Sequence, residues 1–163
     1  MADPAARDES PAPNGCEPGR SRVLLVEDDD LDVIAFHRVM ASLGLDIELQ
    51  RARNAIEAFE MLRLQLEEGR SESMLIVLDL NMPSMNGIEF LAQLRADPAL
   101  RSSVVFAFTT SDSPDDMRRC FEHNVAAYLT KEVDEDSTRK LAELIEVYLR
   151  TVRMPRIEAV PAS

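Results

Sequence analysis

Basic residues are scarce in this chain. Eighteen Lys and Arg stand against 30 Asp and Glu, a net charge of -12 over 163 residues. That balance excludes non-specific binding to nucleic acid or to an anionic membrane, both of which need basic surface. No apolar run is long enough to span a bilayer, and the N-terminus lacks the apolar core of a secretion signal. A cytoplasmic, reducing location is therefore the default expectation. Cys16 and Cys120 lie far apart without metal-like spacing, which predicts a tail thiol and a packing residue rather than a disulfide. His37 and His123 have no Cys or His neighbours to make a metal site with. No sequence repeat is visible. What remains is a chain that is 45% apolar, enough for one domain with a real core.

Residues 1–20 hold Pro4, Pro11, Pro13, Pro18, Gly15 and Gly19 and almost no large apolar side chain, and read as a disordered leader. From there apolar runs alternate with amphipathic stretches. Residues 23–26 are an apolar strand that ends in Glu27, Asp28, Asp29 and Asp30. A helix over about 31–43 buries Val33, Phe36, Met40 and Leu43, with Leu31, Ile34 and Val39 widening the stripe, and Gly44 stops it. Residues 47–49 alternate as a short strand. Asn54 caps a helix with Ala55, Phe59, Leu62 and Leu66 on one face, and a polar connection follows over 67–73.

Residues 74–78 are apolar throughout and run straight into Asp79, as a strand buried on both faces would. Pro83 and the Asn86–Gly87 pair mark a loop before a helix with Phe90, Leu91 and Leu94. Asp97 and Pro98 close that helix. Residues 104–108 are another apolar strand, running into Thr109. Ser113 and Pro114 start a helix with Met117, Cys120 and Phe121 inward, and Asn124 takes a left-handed conformation after it. Residues 127–130 are the last strand, ending at Lys131. Asp134, Glu135 and Asp136 open the final helix, where acids suit the positive dipole end. Leu141, Leu144, Ile145, Tyr148, Leu149 and Val152 form its buried stripe.

Five strands each followed by a helix predict a parallel sheet covered on both faces, occupying 21–152. In such a sheet all carboxyl ends share one rim, where ligands bind. Glu27, Asp28, Asp79, Thr109 and Lys131 therefore converge. Taken singly, each has an ordinary reading as cap, turn or surface residue; at four strand ends of one rim they make a site. Three carboxylates repel, so a proton or a cation must settle them. An oxygen-only set suits a hard cation, and Mg²⁺ fits best. Lys131 and Thr109 would meet the oxygens of a phosphoryl group, and Asp79 would be the nucleophile.

The motifs Leu25, Val26, Glu27, Asp28; Asp79, Leu80, Asn81, Met82, Pro83 with Gly87; Thr109, Thr110, Ser111; and Tyr128, Leu129, Thr130, Lys131 resemble a response-regulator receiver domain of two-component signalling. The resemblance implies a flavodoxin-like (βα)5 doubly wound fold with strand order 2-1-3-4-5. It implies Asp79 as phosphoacceptor and Thr109 and Tyr128 as the switch pair. Mg²⁺ would be held by Asp28, Asp79 and the Asn81 carbonyl, with Glu27 acting through water. A histidine kinase is the implied donor. The wording around Asp79 and Thr109 is similar to single-domain regulators partnered with phytochrome-type kinases. The chain departs from the family at Glu132, where a proline in a cis bond usually follows the lysine. A cis bond without proline costs about 2.5–4 kcal/mol, so a trans, shifted loop is expected, with consequences for where Lys131 lies. A second departure is Asn124–Val125 in place of Gly-Ala, and Val125 needs extra room.

The expected function is a phosphorylation-switched interaction protein without an output domain, not a turnover enzyme. Its altered surface would be the fourth helix, fifth strand and fifth helix, facing another protein or a second copy. The tail over 153–163, with Met154, Ile157 and Val160, is either a dimer arm or a loose end. Three rivals remain. One is a receiver that binds a partner constitutively. Another is a Mg²⁺-dependent phosphatase resembling the haloacid dehalogenases, disfavoured because Asn81 stands where an acid/base aspartate is needed. The last is a nucleotide-binding flavodoxin-like protein, disfavoured because no Gly-rich loop follows the first strand.

Overall fold

The computed structural model describes residues 21–69, 74–83, 85–133 and 136–157. Five strands, β1 (Ser21–Val26), β2 (Ile47–Ala52), β3 (Leu75–Leu78), β4 (Val105–Thr109) and β5 (Ala127–Thr130), form one parallel sheet in the order β2-β1-β3-β4-β5. They alternate with α1 (Asp30–Ser42), α2 (Ala55–Glu67), α3 (Gly87–Ala96), α4 (Pro114–Glu122) and α5 (Asp136–Thr151). This is the expected doubly wound arrangement. The expected leader over 1–20, part of the 67–73 connection, and Asp134 and Glu135 lie outside the described residues.

The unbroken apolar strands follow from there being two cores. Leu24, Val26, Ile76, Leu78 and Ala107 point into one, with Leu62 of α2, Phe90 and Leu94 of α3 and Cys120 of α4. Val23, Leu25, Leu75, Val77, Phe106 and Phe108 point into the other, with Phe36 and Met40 of α1 and Leu141 and Ile145 of α5. Successive side chains on a strand face opposite ways, so a strand covered on both sides has no polar positions to spare.

The helix ends match their local chemistry. The side chains of Asp29, Asn54, Asn86 and Ser113 accept backbone N–H bonds at the starts of α1, α2, α3 and α4. Asn124 takes the left-handed conformation after α4, at φ 54°. The room Val125 needs exists, and its side chain is buried.

Three helix faces differ from expectation. On α1, Leu31 is 75% and Ile34 52% exposed, while Val33, Phe36, Val39 and Met40 are buried. A helix lying on a sheet hides only one stripe, and Leu31 and Ile34 fall outside it. On α4, Met117 and Phe121 are exposed and Cys120 alone is buried, because this short helix lies towards the β5 edge of the sheet. Leu144 and Val152 are also exposed, leaving Leu141, Ala142 and Ile145 as the buried face of α5. Strand β2 is longer than expected, running to Ala52, and Thr109 belongs to β4 rather than following it.

Two features hold the end of the domain opposite the acids. The Arg95 guanidinium, on α3, donates to the carbonyls of His123 (2.7 Å), Arg101 (2.8 Å), Ser103 (2.9 Å) and Asn124 (3.0 Å). It ties the end of α3 to the approach to β4 and the end of α4, and burial lowers its pKa. After α5 the chain folds back: Met154 packs against the α1/α5 core, and Ile157, 2% exposed, sits in the α2/α3/α4 core. Through Ile157 the described part of the tail is engaged with the body of the chain. Val160 lies outside the described residues.

Candidate functional site

The rim is registered by the sheet itself. The first residue past β1 is Glu27, and its N–H donates to the Ala52 carbonyl of β2 at 3.0 Å. The N–H of Asp79, just past β3, donates to the Val26 carbonyl of β1 at 3.0 Å. The N–H of Lys131, just past β5, donates to the Thr109 carbonyl of β4 at 2.7 Å. Each functional residue thus extends the ladder by one bond, which fixes where its side chain starts.

Carboxylate oxygens of Glu27, Asp28 and Asp79 all lie within 4.8 Å of one another. Glu27 and Asp79 are buried and Asp28 is exposed. Lys131 enters from β5, its Nζ 5.5 Å from the centre of the Phe108 ring. The ammonium lies 2.5 Å from Glu27 Oε2, 2.7 Å from Asp32 Oδ2 and 3.6 Å from Asp79 Oδ2. The Lys131–Glu132 peptide is trans, as expected without proline, and the side chain still reaches the acids.

Burial raises the pKa of Glu27, although Lys131 and the Asp29 N–H oppose the shift. Burial would pull the Lys131 ammonium down, but Asp32, Glu27 and Asp79 outweigh it and hold its pKa above the ordinary value. One lysine among four carboxylates leaves the pocket negative. An all-oxygen donor set of this span, with two members buried, fits a hard divalent cation.

A second set of contacts leads away from Asp79. Its Oδ1 accepts the Asn81 N–H at 3.2 Å. The Asn81 side-chain amide donates to Thr109 Oγ1 (3.3 Å) and Thr110 Oγ1 (3.1 Å). Buried Thr109 also accepts the Ser111 N–H at 3.2 Å, and the Tyr128 hydroxyl donates to the Ser111 carbonyl at 2.9 Å. Asp79, Asn81, Thr109, Ser111 and Tyr128 therefore form one hydrogen-bonded path. Gly87, opening α3, packs directly beneath: a Cβ there would lie 2.8 Å from the Asp79 carbonyl oxygen and 2.7 Å from Leu80 Cα.

Of the rim residues expected from sequence, Glu27, Asp28, Asp79 and Lys131 meet in one place, and Thr109 connects to Asp79 through Asn81. Two contributors were not expected. Asp32 lies beyond the acidic run at 27–30, and nothing local in the sequence says that it turns to Lys131. Arg51 falls just past the strand expected over 47–49 and lies inside β2; its guanidinium reaches the carbonyls of Glu27 and Asp28.

The family model for the response regulator receiver domain matches residues 23–143. The chain belongs to that family. Among relatives of this receiver domain, the response regulator Rcp1 of Synechocystis is 36% identical over 82% of this chain and 92% of its own. The probable methanogenesis regulatory protein FilR2 of Methanothrix harundinacea is 35% identical over 82% and 86%. The Mn²⁺-bound form of Rcp1 has a solved structure similar to this one, with a TM-score of 0.71 at 35% identity, covering 83% of this receiver and 99% of that chain. The phosphorylated cyanobacterial phytochrome response regulator RcpA gives 0.69 at 29% identity over 81% and 95%. Among the described residues no helix is long and apolar enough to cross a membrane.

Proposed function

We propose that this receiver accepts a phosphoryl group on Asp79 from the phosphohistidine of a histidine kinase. The observation that carries the reading is the position of Lys131, 3.6 Å from Asp79 Oδ2 inside a ring of carboxylates. A carboxylate oxygen of Asp79 attacks phosphorus as the phosphorus–nitrogen bond breaks, and the imidazole leaves with the electron pair. Lys131 offers its ammonium to the equatorial oxygens, and the Thr109 hydroxyl offers a hydrogen bond. The residues that would hold Mg²⁺ are Asp28, Asp79 and the Asn81 carbonyl, with Glu27 acting through water. When bound, the ion would supply positive charge to the phosphoryl oxygens in the transition state.

The path from Asp79 through Asn81 to Thr109 and Tyr128 supports a switch. New negative charge at Asp79 draws the Thr109 hydroxyl, which changes the bond network that Ser111 shares with Tyr128. The surface that responds is α4, β5 and α5, where Met117, Phe121 and Val147 are exposed and available to a partner or a second copy. Met154 and Ile157 of the tail pack within the chain, which leaves this surface to the helices and β5. The likeness to RcpA, described as a phytochrome response regulator, favours a phytochrome-type kinase as donor.

The test is intact mass after incubation with Mg²⁺ and acetyl phosphate. One added phosphoryl group is expected in the wild type and none in Asp79→Asn. An unmodified wild type that still binds Mg²⁺ would favour a constitutive binding module instead.

A further inference from the structure

Strand β2 supplies a residue that touches none of the reacting atoms and yet governs the acids. Arg51 lies opposite Leu25 in the β1–β2 register, two residues before Glu27. Its Nε donates to the Glu27 carbonyl at 3.0 Å and its Nη2 to the Asp28 carbonyl at 2.9 Å. Its Nη1 pairs with Asp30 Oδ1 at 2.6 Å. The side chain is largely buried, at 17% exposure, although Asp30 is open to solvent. One planar fork thus grips the backbone of both β1 acids and the first residue of α1. Such multidentate, pre-oriented contact is what a guanidinium can make and an ammonium cannot.

We infer that Arg51 is a positioning residue for the cation pocket, holding the backbone from Glu27 to Asp30 so that the Glu27 and Asp28 carboxylates stay gathered with Asp79. The inference rests on the metal-assisted reading of the site given above. Two effects of Arg51 on a bound cation have opposite signs, which makes them separable. As a positive charge it repels a divalent ion, so removing charge alone would tighten binding. As a clamp it keeps the ligands in place, so removing the clamp loosens binding. Asp30, paired with the guanidinium at 2.6 Å, neutralises part of the charge. The clamp is therefore the larger effect.

The experiment is a calorimetric titration of the full chain with Mg²⁺, comparing wild type, Arg51→Met, Arg51→Lys and Arg53→Met. Thermal melts of each protein are recorded without metal. Residues that orient metal ligands typically change affinity about 10–100-fold when lost, so Arg51→Met is expected to weaken Mg²⁺ at least about tenfold. Arg51→Lys keeps the charge and reaches one carbonyl at a time, and falls between. Arg53→Met removes a neighbouring charge with no grip on the loop, and binds as the wild type does or slightly more tightly. Phosphorylation of Arg51→Met by acetyl phosphate is slow at limiting Mg²⁺ and returns to the wild-type rate at saturation.

Mg²⁺ affinity in Arg51→Met equal to or tighter than wild type overturns the inference, even if its melting temperature falls. So does a rate deficit that persists at saturating Mg²⁺. If Arg51→Met does not melt cooperatively, Arg51→Lys decides, because its charge is unchanged and any lost affinity belongs to the fork. A wild type that binds no Mg²⁺ sinks the functional reading and this inference together. A wild type that binds and is phosphorylated, with both Arg51 variants unchanged, sinks this inference alone.

Discussion

Asn81 shows how much one side chain can connect. Its backbone N–H steadies Asp79, while its amide holds Thr109 and Thr110 on the next strand end. An aspartate there would add another negative charge beside the acids and could not donate to either threonine. This is a physical reason, beside the missing acid/base group, to set the phosphatase reading aside. Other single residues set the response to pH. Burial, helped by the nearby Asp116 charge, raises the Cys120 thiol from 9.0 to about 11. Burial also raises the Tyr128 phenol, and the surrounding carboxylates raise Lys131 against the effect of burial. All three groups bind their protons more tightly folded than unfolded, so stability is full below their unfolded pKa values and is lost as pH rises through the folded ones. Melting temperature is expected to fall between about pH 9 and pH 11. In Cys120→Ala, a thermal series over the same range should show a shallower fall. Glu27, Asp28, Asp79, Thr109 and Lys131 were legible because each ends or directly follows an apolar run, which assigns it to the rim. Asp32 and Arg51 were not legible, since their roles depend on side chains meeting across elements and neither follows such a run.

At the scale of elements, the strands read more cleanly than the helices. A strand buried on both faces leaves no choice of orientation, so its apolar run alone locates it. A helix has a stripe whose width depends on what it covers. The apolar residues Leu31, Ile34, Met117 and Phe121 fit a helical period equally well inside or outside that stripe. The end of α3 offers a direct test of element packing. Arg95 satisfies four carbonyls from two other segments, and Arg95→Met leaves them without that donor. Charged hydrogen bonds contribute about 1.5–3 kcal/mol each when buried. Part of this site is open to water, so the expected loss is about 2 kcal/mol, measured by urea denaturation. Mg²⁺ affinity should be unchanged, because Arg95 holds the opposite end of the sheet.

At the scale of the whole molecule, the two cores are closed by the tail as well as by the helices. Ile157 fills a place among the residues of the α2/α3/α4 core although it follows α5, which packs on the other side. Removing a buried isoleucine side chain costs about 2–5 kcal/mol when the hole does not collapse. A chain ending at residue 152 should therefore denature at lower urea than the full chain, and Ile157→Ala should reproduce most of that loss. The overall architecture was legible because alternating strands and helices admit few arrangements. The tail was not, because Met154, Ile157 and Val160 have no period that assigns them to a surface or a core.

That docked tail also bears on how this receiver can be joined to other chains. The family pattern ends at residue 143, inside α5, and the helix itself ends at Thr151. A chimaera spliced after Thr151 would inherit the acid pocket intact and an unplugged hole beneath the sheet, while one spliced at 143 would also lose Ile145 and the second half of α5. The fault would show as poor expression or proteolysis rather than as lost chemistry, and moving the splice a few residues past Ile157 would cure it without touching the site.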